Sequence, residues 1–134
     1  MIIHLGDCWG DASRLQKEFP DLPMERVPGN CDYVQEPLSR ILQIEGFDVL
    51  ISHGHLYYVK TDLLRFQYKA QENKVQLALF GHTHKVYYDR HNGVTYLNPG
   101  SIGAPGYKTS PSYGIMLLDG ERHHMEGEVK YIEF

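Results

Sequence analysis

Short apolar runs that end in small residues and a polar group recur between residues 2 and 84. The four segments are Ile2-Ile3-His4-Leu5-Gly6-Asp7, Arg26-Val27-Pro28-Gly29-Asn30, Val49-Leu50-Ile51-Ser52-His53-Gly54-His55 and Val75 to His84. Apolar runs of this length predict buried strands. In open α/β sheets, ligands bind in the loops beyond the carboxyl ends of the strands. The pattern therefore predicts four strand ends that carry polar groups.

Two segments between these strands have helical signals. Asp11 is a capping residue for a predicted helix that runs to about Phe19, where prolines stop it. Thr61, followed by Asp62, caps a second predicted helix that extends through about Asn73. The apolar side of this second helix is expected to consist of Leu63, Leu64, Phe66 and Tyr68.

After residue 84 the pattern changes to strand pairs around turns. Asn92-Gly93 is a hairpin signal between the runs 86–88 and 94–97. Asp119-Gly120-Glu121 separates a strand at Tyr113 to Leu118 from one at Glu128 to Phe134, and Glu45-Gly46-Phe47 divides an earlier pair. Alternating strands and helices followed by antiparallel strands predict an α/β fold. We expect one domain, 1–134, in which two mixed sheets form a β-sandwich flanked by helices.

Composition narrows the class of protein. The chain has 134 residues, of which 42% are hydrophobic and 22% charged, as in an ordinary soluble domain. No apolar stretch approaches the ~20 residues that span a bilayer, and no signal-peptide pattern is found, so no membrane association is expected. The net charge of -4 argues against binding of long nucleic acid. A small phosphorylated substrate stays compatible, because a bound metal can reverse the local field.

Cysteine usage indicates the compartment. Two cysteines, Cys8 and Cys31, are too few for a disulfide scaffold and fit a reducing environment. A cytoplasmic location is therefore expected.

The polar groups at the strand ends form a potential ligand set. Asp7 offers a carboxylate, Asn30 an amide oxygen, and His53, His82 and His84 offer imidazole nitrogens. A mixed nitrogen and oxygen set without thiolate suits Mn, Fe, Co, Ni or Zn. In two-metal hydrolases such ions lie about 3.5–4 Å apart and hold a phosphate between them.

The same residues carry a resemblance to a known family. The segments Gly6-Asp7, Gly29-Asn30, His53-Gly54-His55 and Gly81-His82-Thr83-His84 resemble four of the five sequence blocks of calcineurin-like metallophosphoesterases. The turn Leu97-Asn98-Pro99-Gly100-Ser101 is typical of the small bacterial and archaeal phosphodiesterase branch. The resemblance implies a β-sandwich flanked by helices. It also implies that Asp7 bridges two metals, that Asn30, His53 and His82 complete one shell, and that His84 binds the other metal.

The resemblance also implies an activity, which is metal-dependent hydrolysis of a small phosphate ester, with Mn as the expected metal and Ni, Fe, Zn or Co as alternatives. Asn30 and Cys31 are expected to contact substrate. Cys31 stands where many relatives have a histidine that binds phosphate or protonates the leaving group. His55 is the nearest candidate for that proton transfer, and a solvent-facing or supporting role for His55 is an equal alternative. Asp32 is expected to support a ligand or a neighbouring loop.

The family's first block, an Asp-x-His at the end of an N-terminal strand, is absent from this chain. One metal site is therefore expected to be complete and the other half built, with impaired activity in this form. A misplaced start or a truncation at an internal methionine is the preferred explanation. The missing strand would leave unpaired backbone in the sheet, which favours self-association.

Two other functional hypotheses stay open. One is a non-catalytic scaffold or binding protein, since the eukaryotic retromer complex contains a metallophosphoesterase-like subunit. The other is a single-metal hydrolase of low activity.

Overall fold

The computed structural model describes residues 1–133. Its strands and helices, in chain order, are β1 (Ile2–His4), α1 (Trp9–Glu18), β2 (Met24–Arg26), β3 (Ser39–Ile44), β4 (Phe47–Ser52), a 3-10 turn (His55–Tyr57), α2 (Leu64–Glu72), β5 (Leu77–Leu79), β6 (Val86–His91), β7 (Val94–Pro99), β8 (Ser112–Asp119) and β9 (His124–Tyr131). Strands and helices alternate in the first half, and the last strands pair as antiparallel hairpins. The predicted α/β class is confirmed.

A five-stranded mixed sheet forms the centre, in the order β3-β4-β5-β7-β6. Its three inner strands are parallel, and the two edge strands run antiparallel to their neighbours. Helix α2 covers one face, where Phe66 and Ala70 pack against Leu50, Ala78 and Tyr96. The inner strands are apolar on both faces because both faces are covered.

The other face of the central sheet is covered by the short strands β1 and β2 and by the longer strands β8 and β9. Ile3 from β1 and Val27, which directly follows β2, pack on a core that includes Ile51, together with Met116 from β8 and Val129 from β9. These strands form a parallel β1–β2 ribbon and an antiparallel β8–β9 ribbon. Within residues 1–133 the two ribbons are not hydrogen-bonded to each other, so the second sheet of the sandwich is divided.

Both helices begin at residues other than those predicted. Helix α1 begins at Trp9, after a left-handed Cys8, so Asp11 lies in its first turn and is not its cap. Helix α2 begins at Leu64, and Asp62 rather than Thr61 accepts a hydrogen bond from the Leu64 N–H, at 3.0 Å. Its predicted apolar side was partly wrong, because Leu64 and Tyr68 are 50% and 62% exposed. The face that packs against the sheet instead passes through the buried pair Phe66 and Ala70, which are four positions apart.

The hairpin predictions hold with one shift. Asn92 and Gly93 have φ of 50° and 78°, which is the conformation that a two-residue hairpin requires. Strand β9 begins at His124, four residues earlier than predicted, because Asp119 pairs directly with His124 across the turn. The predicted end of this strand at Phe134 lies outside the described residues. None of the helices in residues 1–133 has both the length and the apolar character needed to cross a membrane.

Candidate metal centre

Four of the predicted site residues follow strands that lie side by side. β1 and β2 are parallel neighbours, and the chain continues from them to Asp7 and Asn30. β4 and β5 are parallel neighbours in the central sheet, and they lead to His53 and His82. Parallel strands end at the same edge of a sheet, so the register brings each pair together. Packing of the β1–β2 ribbon on the sheet then brings both pairs to one rim.

Asp7, Asn30 and His82 each approach the Nε2 atom of His53. Asn30 Oδ1 lies 3.0 Å from this nitrogen, His82 Nδ1 lies 3.1 Å from it, and Asp7 Oδ2 lies 3.5 Å from it. Donors that share one cation at about 2.1 Å are themselves about 3.0 Å apart in cis octahedral positions and about 3.4 Å apart in tetrahedral positions. The three separations lie close to these values, so the four groups are near enough to serve one ion.

The side of His53 that faces the rim is surrounded by hydrogen-bond acceptors. Its Nδ1–H donates to the Leu5 carbonyl at 2.8 Å, because a carbonyl can only accept. Burial, the largest effect, lowers the pKa of His53 below its usual 6.5, so the ring is neutral and Nε2 carries a lone pair. The Asn30 Oδ1 and Asp7 Oδ2 atoms beside it are also acceptors. Three acceptor atoms, His53 Nε2, Asn30 Oδ1 and Asp7 Oδ2, therefore face one another, and this arrangement suits a bound cation.

The donors face each other and do not yet form a finished coordination shell. Residues 1–133 contain no group of three or more His, Cys, Asp and Glu side chains in position to hold a metal ion by themselves. At this rim the convergence depends on the Asn30 amide oxygen, and the His53 and His82 nitrogens point at each other. The ligand roles themselves stay predictions.

The backbone at the strand ends is unusual. Asp7, His82 and His84 have φ of 64°, 69° and 58°, in the left-handed region that side chains other than glycine rarely adopt. Such residues cost about 1–3 kcal/mol each and cluster at functional sites. Burial, then the neighbouring His53, lowers the pKa of His82 to about 4, so its imidazole is neutral near pH 7. The strained loop after β5 therefore holds the neutral imidazole of His82 at the rim.

The Asp32 carboxylate holds the two loops that carry Asp7 and Asn30. Its Oδ2 accepts hydrogen bonds from the backbone N–H groups of Asp7 and Gly29, both at 2.8 Å, and its Oδ1 accepts one from Trp9 at 3.1 Å. The predicted loop-supporting role of Asp32 is confirmed. One carboxylate thus ties the loop after β1 to the loop after β2.

The orientation of Asp7 is set by a further contact. The Cys31 N–H donates to Asp7 Oδ1 at 3.2 Å, which leaves Oδ2 facing His53. The Cys31 thiol is exposed, and the negative charge of Asp7 is the largest of the effects that raise its pKa. Cys31 therefore presents a neutral thiol beside Asp7.

Two glycines allow the loops to approach this closely. A Cβ on Gly29 would contact the Asp7 carboxylate and would lie 2.6 Å from the Asp7 backbone nitrogen. Gly6 has φ of 107°, and a Cβ there would lie 2.6 Å from Nδ1 of His53. Because these spaces are smaller than any side chain, both glycines are required by the packing of the site.

The loop that carries His82 is held by a buried amide. Asn98 donates through Nδ2 to the Gly81 carbonyl at 3.1 Å and to Thr83 Oγ1 at 2.9 Å. Its Oδ1 accepts from the Gly100 N–H at 3.0 Å. Asn98 is fully buried, so these bonds are shielded from water. This residue belongs to the turn block recognised in the sequence, and its contacts show why that turn accompanies the histidine loop.

The remaining predicted residues lie around the four. The His55 ring is centred 5.4 Å from that of His53 and 6.2 Å from that of His82. Its Nδ1 atom is buried and has no hydrogen-bond partner in the described part of the chain. His84 lies beyond Thr83 and shares no hydrogen bond or ion pair with His53, Asp7 or His82 within residues 1–133. The structure therefore brings together the four residues that were predicted to hold the first metal, and it leaves the predicted role of His84 untested.

One neighbouring feature was not predicted from the sequence. Lys60 and Lys85 line a cavity of about 540 Å³ that reaches the histidine loop at Thr83. Lys85 directly follows His84, and Lys60 lies shortly after His55, but neither position indicates that the two lysines line one cavity. Tertiary folding alone places the two lysines together.

Known proteins share this fold and sequence. Residues 1–121 match the profile of the calcineurin-like phosphoesterase superfamily domain. The chain is 34% identical to the probable metallophosphoesterase YsnB of Bacillus subtilis over 123 residues, which cover 90% of this chain and 70% of that protein.

Two solved structures extend the comparison of the fold. Vps29 from Entamoeba histolytica, solved in complex with Zn, has a TM-score of 0.69 at 19% identity and covers 97% of this chain and 82% of that one. A structure described as a novel archaeal phosphodiesterase has a TM-score of 0.61 at 19% identity and covers 97% of this chain and 100% of that one. The predicted metallophosphoesterase fold is confirmed by these likenesses. The match over residues 1–121 and the 34% identity to YsnB show that the chain belongs to the calcineurin-like phosphoesterase superfamily.

Proposed function

We propose that this protein is a metal-dependent phosphodiesterase that hydrolyses a small phosphate ester. The observation that carries the proposal is the convergence of acceptor atoms on His53 Nε2, with Asn30 Oδ1 at 3.0 Å and Asp7 Oδ2 at 3.5 Å. A hydrolase that works without a metal ion would gain nothing from several acceptor atoms that face one another at this rim. Membership of a phosphoesterase family agrees with this chemistry.

The donor set suits a divalent transition ion. Asp7, Asn30, His53 and His82 offer one carboxylate oxygen, one amide oxygen and two imidazole nitrogens. Mn is the metal we expect, with Ni, Fe, Zn and Co as alternatives, since availability often decides among them. A divalent cation held there supplies positive charge for the phosphoryl oxygens and makes a nearby water molecule more acidic.

The chain's own residues would orient the substrate and move protons. Asp7 and Asn30 sit on loops that Asp32 ties together, so a phosphate at this rim meets a rigid edge. His55, whose ring is centred 5.4 Å from that of His53, is the candidate for proton transfer to the leaving group. Cys31 presents a neutral thiol and cannot repel an anionic ester there.

Hydrolysis of bis(p-nitrophenyl) phosphate with added Mn tests the proposal. Asp7→Ala and His82→Ala are expected to lower kcat/KM by at least about 100-fold, since each removes a direct ligand. Asp21→Ala and His91→Ala, at exposed positions, are matched controls and should keep the full rate. Equal rates in the site variants and the controls would refute the assignment. The number of Mn ions bound per chain, counted by elemental analysis, separates a one-metal from a two-metal centre.

A binding function is the second candidate. The similarity of the fold to Vps29 favours it. Vps29 stands for vacuolar protein sorting 29, and a structure of this protein from Cryptosporidium parvum also shares the fold. A binding protein would hydrolyse no ester at saturating Mn. Its Asp7→Ala variant would keep the binding surface of the parent.

A further inference from the structure

A cavity opens next to the proposed metal centre. Its volume is about 540 Å³, within the range of about 300–1,000 Å³ that is typical of small-molecule sites. Its apolar lining comes from Val59, Leu63, Phe80 and Tyr87, and its charged lining from Lys60 and Lys85. We call this space the lysine cavity.

The lysine cavity is continuous with the loop that carries the candidate ligands. Thr83, which stands between His82 and His84, lines it, and Phe80 and Lys85 lie on either side of the same loop. A molecule whose phosphate sits at the metal centre can therefore reach the cavity.

The charge of the lysine cavity contrasts with that of the whole chain. The chain has a net charge of -4, yet no carboxylate lines the cavity. In residues 1–133 the ion pairs involve other basic groups, and neither Lys60 nor Lys85 has an acidic partner. Two exposed ammonium groups without partners, above an apolar and aromatic wall, are complementary to an anion attached to a flat apolar body.

We propose that the lysine cavity binds the part of the substrate beyond the reacting phosphate, and that this part is an aromatic group with its own negative charge. The inference rests on the proposed function and names its substrate class. Tyr87 and Phe80 would contact the ring, and Lys60 and Lys85 would pair with the second anion, whether carboxylate or phosphonate. A diester with two neutral organic groups would leave both lysines unused.

Binding without catalysis is the first test. Anilinonaphthalene sulfonate, an aromatic anion whose fluorescence rises in apolar sites, is titrated into protein kept in EDTA. Lys60→Met and Lys85→Met keep the apolar stem and remove the charge. Each should weaken binding about threefold to fivefold, as expected for an exposed ion pair of up to about 1 kcal/mol. Leu63→Trp should fill the cavity and abolish the signal, while Lys17→Met, on α1, is the matched control and should bind as the parent does.

Substrate discrimination is the second test. We compare kcat/KM, with Mn, for p-nitrophenyl diesters whose second group is phenyl, carboxyphenyl or phosphonophenyl. The parent should prefer the charged groups, and each lysine variant should lower the charged-to-neutral ratio about threefold to fivefold. The ratio in Lys17→Met should not change.

The outcomes separate the two proposals. Unchanged probe binding in Lys60→Met and Lys85→Met, or an unchanged substrate ratio in an active enzyme, overturns the lysine cavity as an anion site. If no diester is hydrolysed at any Mn concentration, the proposed function fails, and the probe titration alone decides the cavity. Preference for carboxylate over phosphonate, or the reverse, identifies the second anion.

Discussion

Among the residues that are not candidate metal ligands, Asp32 is the one whose substitution should damage the site most. It accepts three backbone hydrogen bonds, from Asp7, Gly29 and Trp9, at 2.8, 2.8 and 3.1 Å. Two substitutions divide its contribution. Asp32→Asn keeps one oxygen, which can still serve Asp7 and Gly29, whereas Asp32→Ala leaves all three N–H groups without an acceptor.

The magnitude follows from those bonds. A hydrogen bond to a charged acceptor contributes about 1.5–3 kcal/mol when buried, and less where water can replace it. Asp32 is half-buried, so we expect Asp32→Ala to lower the free energy of unfolding by about 3 kcal/mol and Asp32→Asn by about half of that. A domain of ordinary stability, about 5–15 kcal/mol, stays folded after either change. Metal affinity should fall about 10–100-fold, because groups that orient ligands have effects of this size.

The assay uses the single tryptophan of the chain, Trp9. This residue donates to Asp32 and stacks under the Arg26 guanidinium at 3.9 Å, so its fluorescence reports on the same loops. Urea unfolding, followed by fluorescence and by circular dichroism, gives the stability change, and calorimetric titration with Mn gives the affinity. Asp21→Ala, in an exposed turn, is the matched control.

The reasoning is refuted if Asp32→Asn and Asp32→Ala have the same stability as the control within about 0.5 kcal/mol. It is also refuted if Mn binds the two variants as tightly as the parent, since the carboxylate would then not position Asp7.

Three further results are expected. Gly29→Ala should lower the melting temperature and weaken Mn binding, at a cost of about 1–3 kcal/mol, because its Cβ would overlap the Asp7 loop. Gly10→Ala, inside α1 with nothing within 4 Å of the new Cβ, should instead raise stability by up to about 1 kcal/mol. In EDTA, the unfolding free energy should be level above pH ~6.5 and should fall as the pH drops toward 4. Burial holds the pKa of His53 and of His82 below 6.5, so at acidic pH the folded state binds fewer protons than the unfolded state. Urea titrations at several pH values should show a shallower fall in His82→Gln, and an identical fall would contradict the burial argument.

Local signals in the sequence determined much of the molecule. Apolar runs that end in glycine and a polar residue predicted the strands before Asp7, Asn30, His53 and His82, because strand periodicity and loop chemistry are encoded by neighbouring residues. Asn92-Gly93 predicted its hairpin for the same reason, since its φ values of 50° and 78° suit few other residue pairs. The family blocks then identified which polar groups belong together.

Only the tertiary structure decided the arrangement around those groups. Contacts between distant segments decide three features. They are the face of α2 that packs on the sheet, the division of the second sheet into two ribbons, and the position of Lys60 and Lys85 in one cavity. The link from Asp32 to Asp7 spans 25 positions along the chain. Side-chain type and local spacing contain no distance of this kind. The burial of apolar faces favours one strand register over the others. That register then determines which polar groups lie close enough to bond.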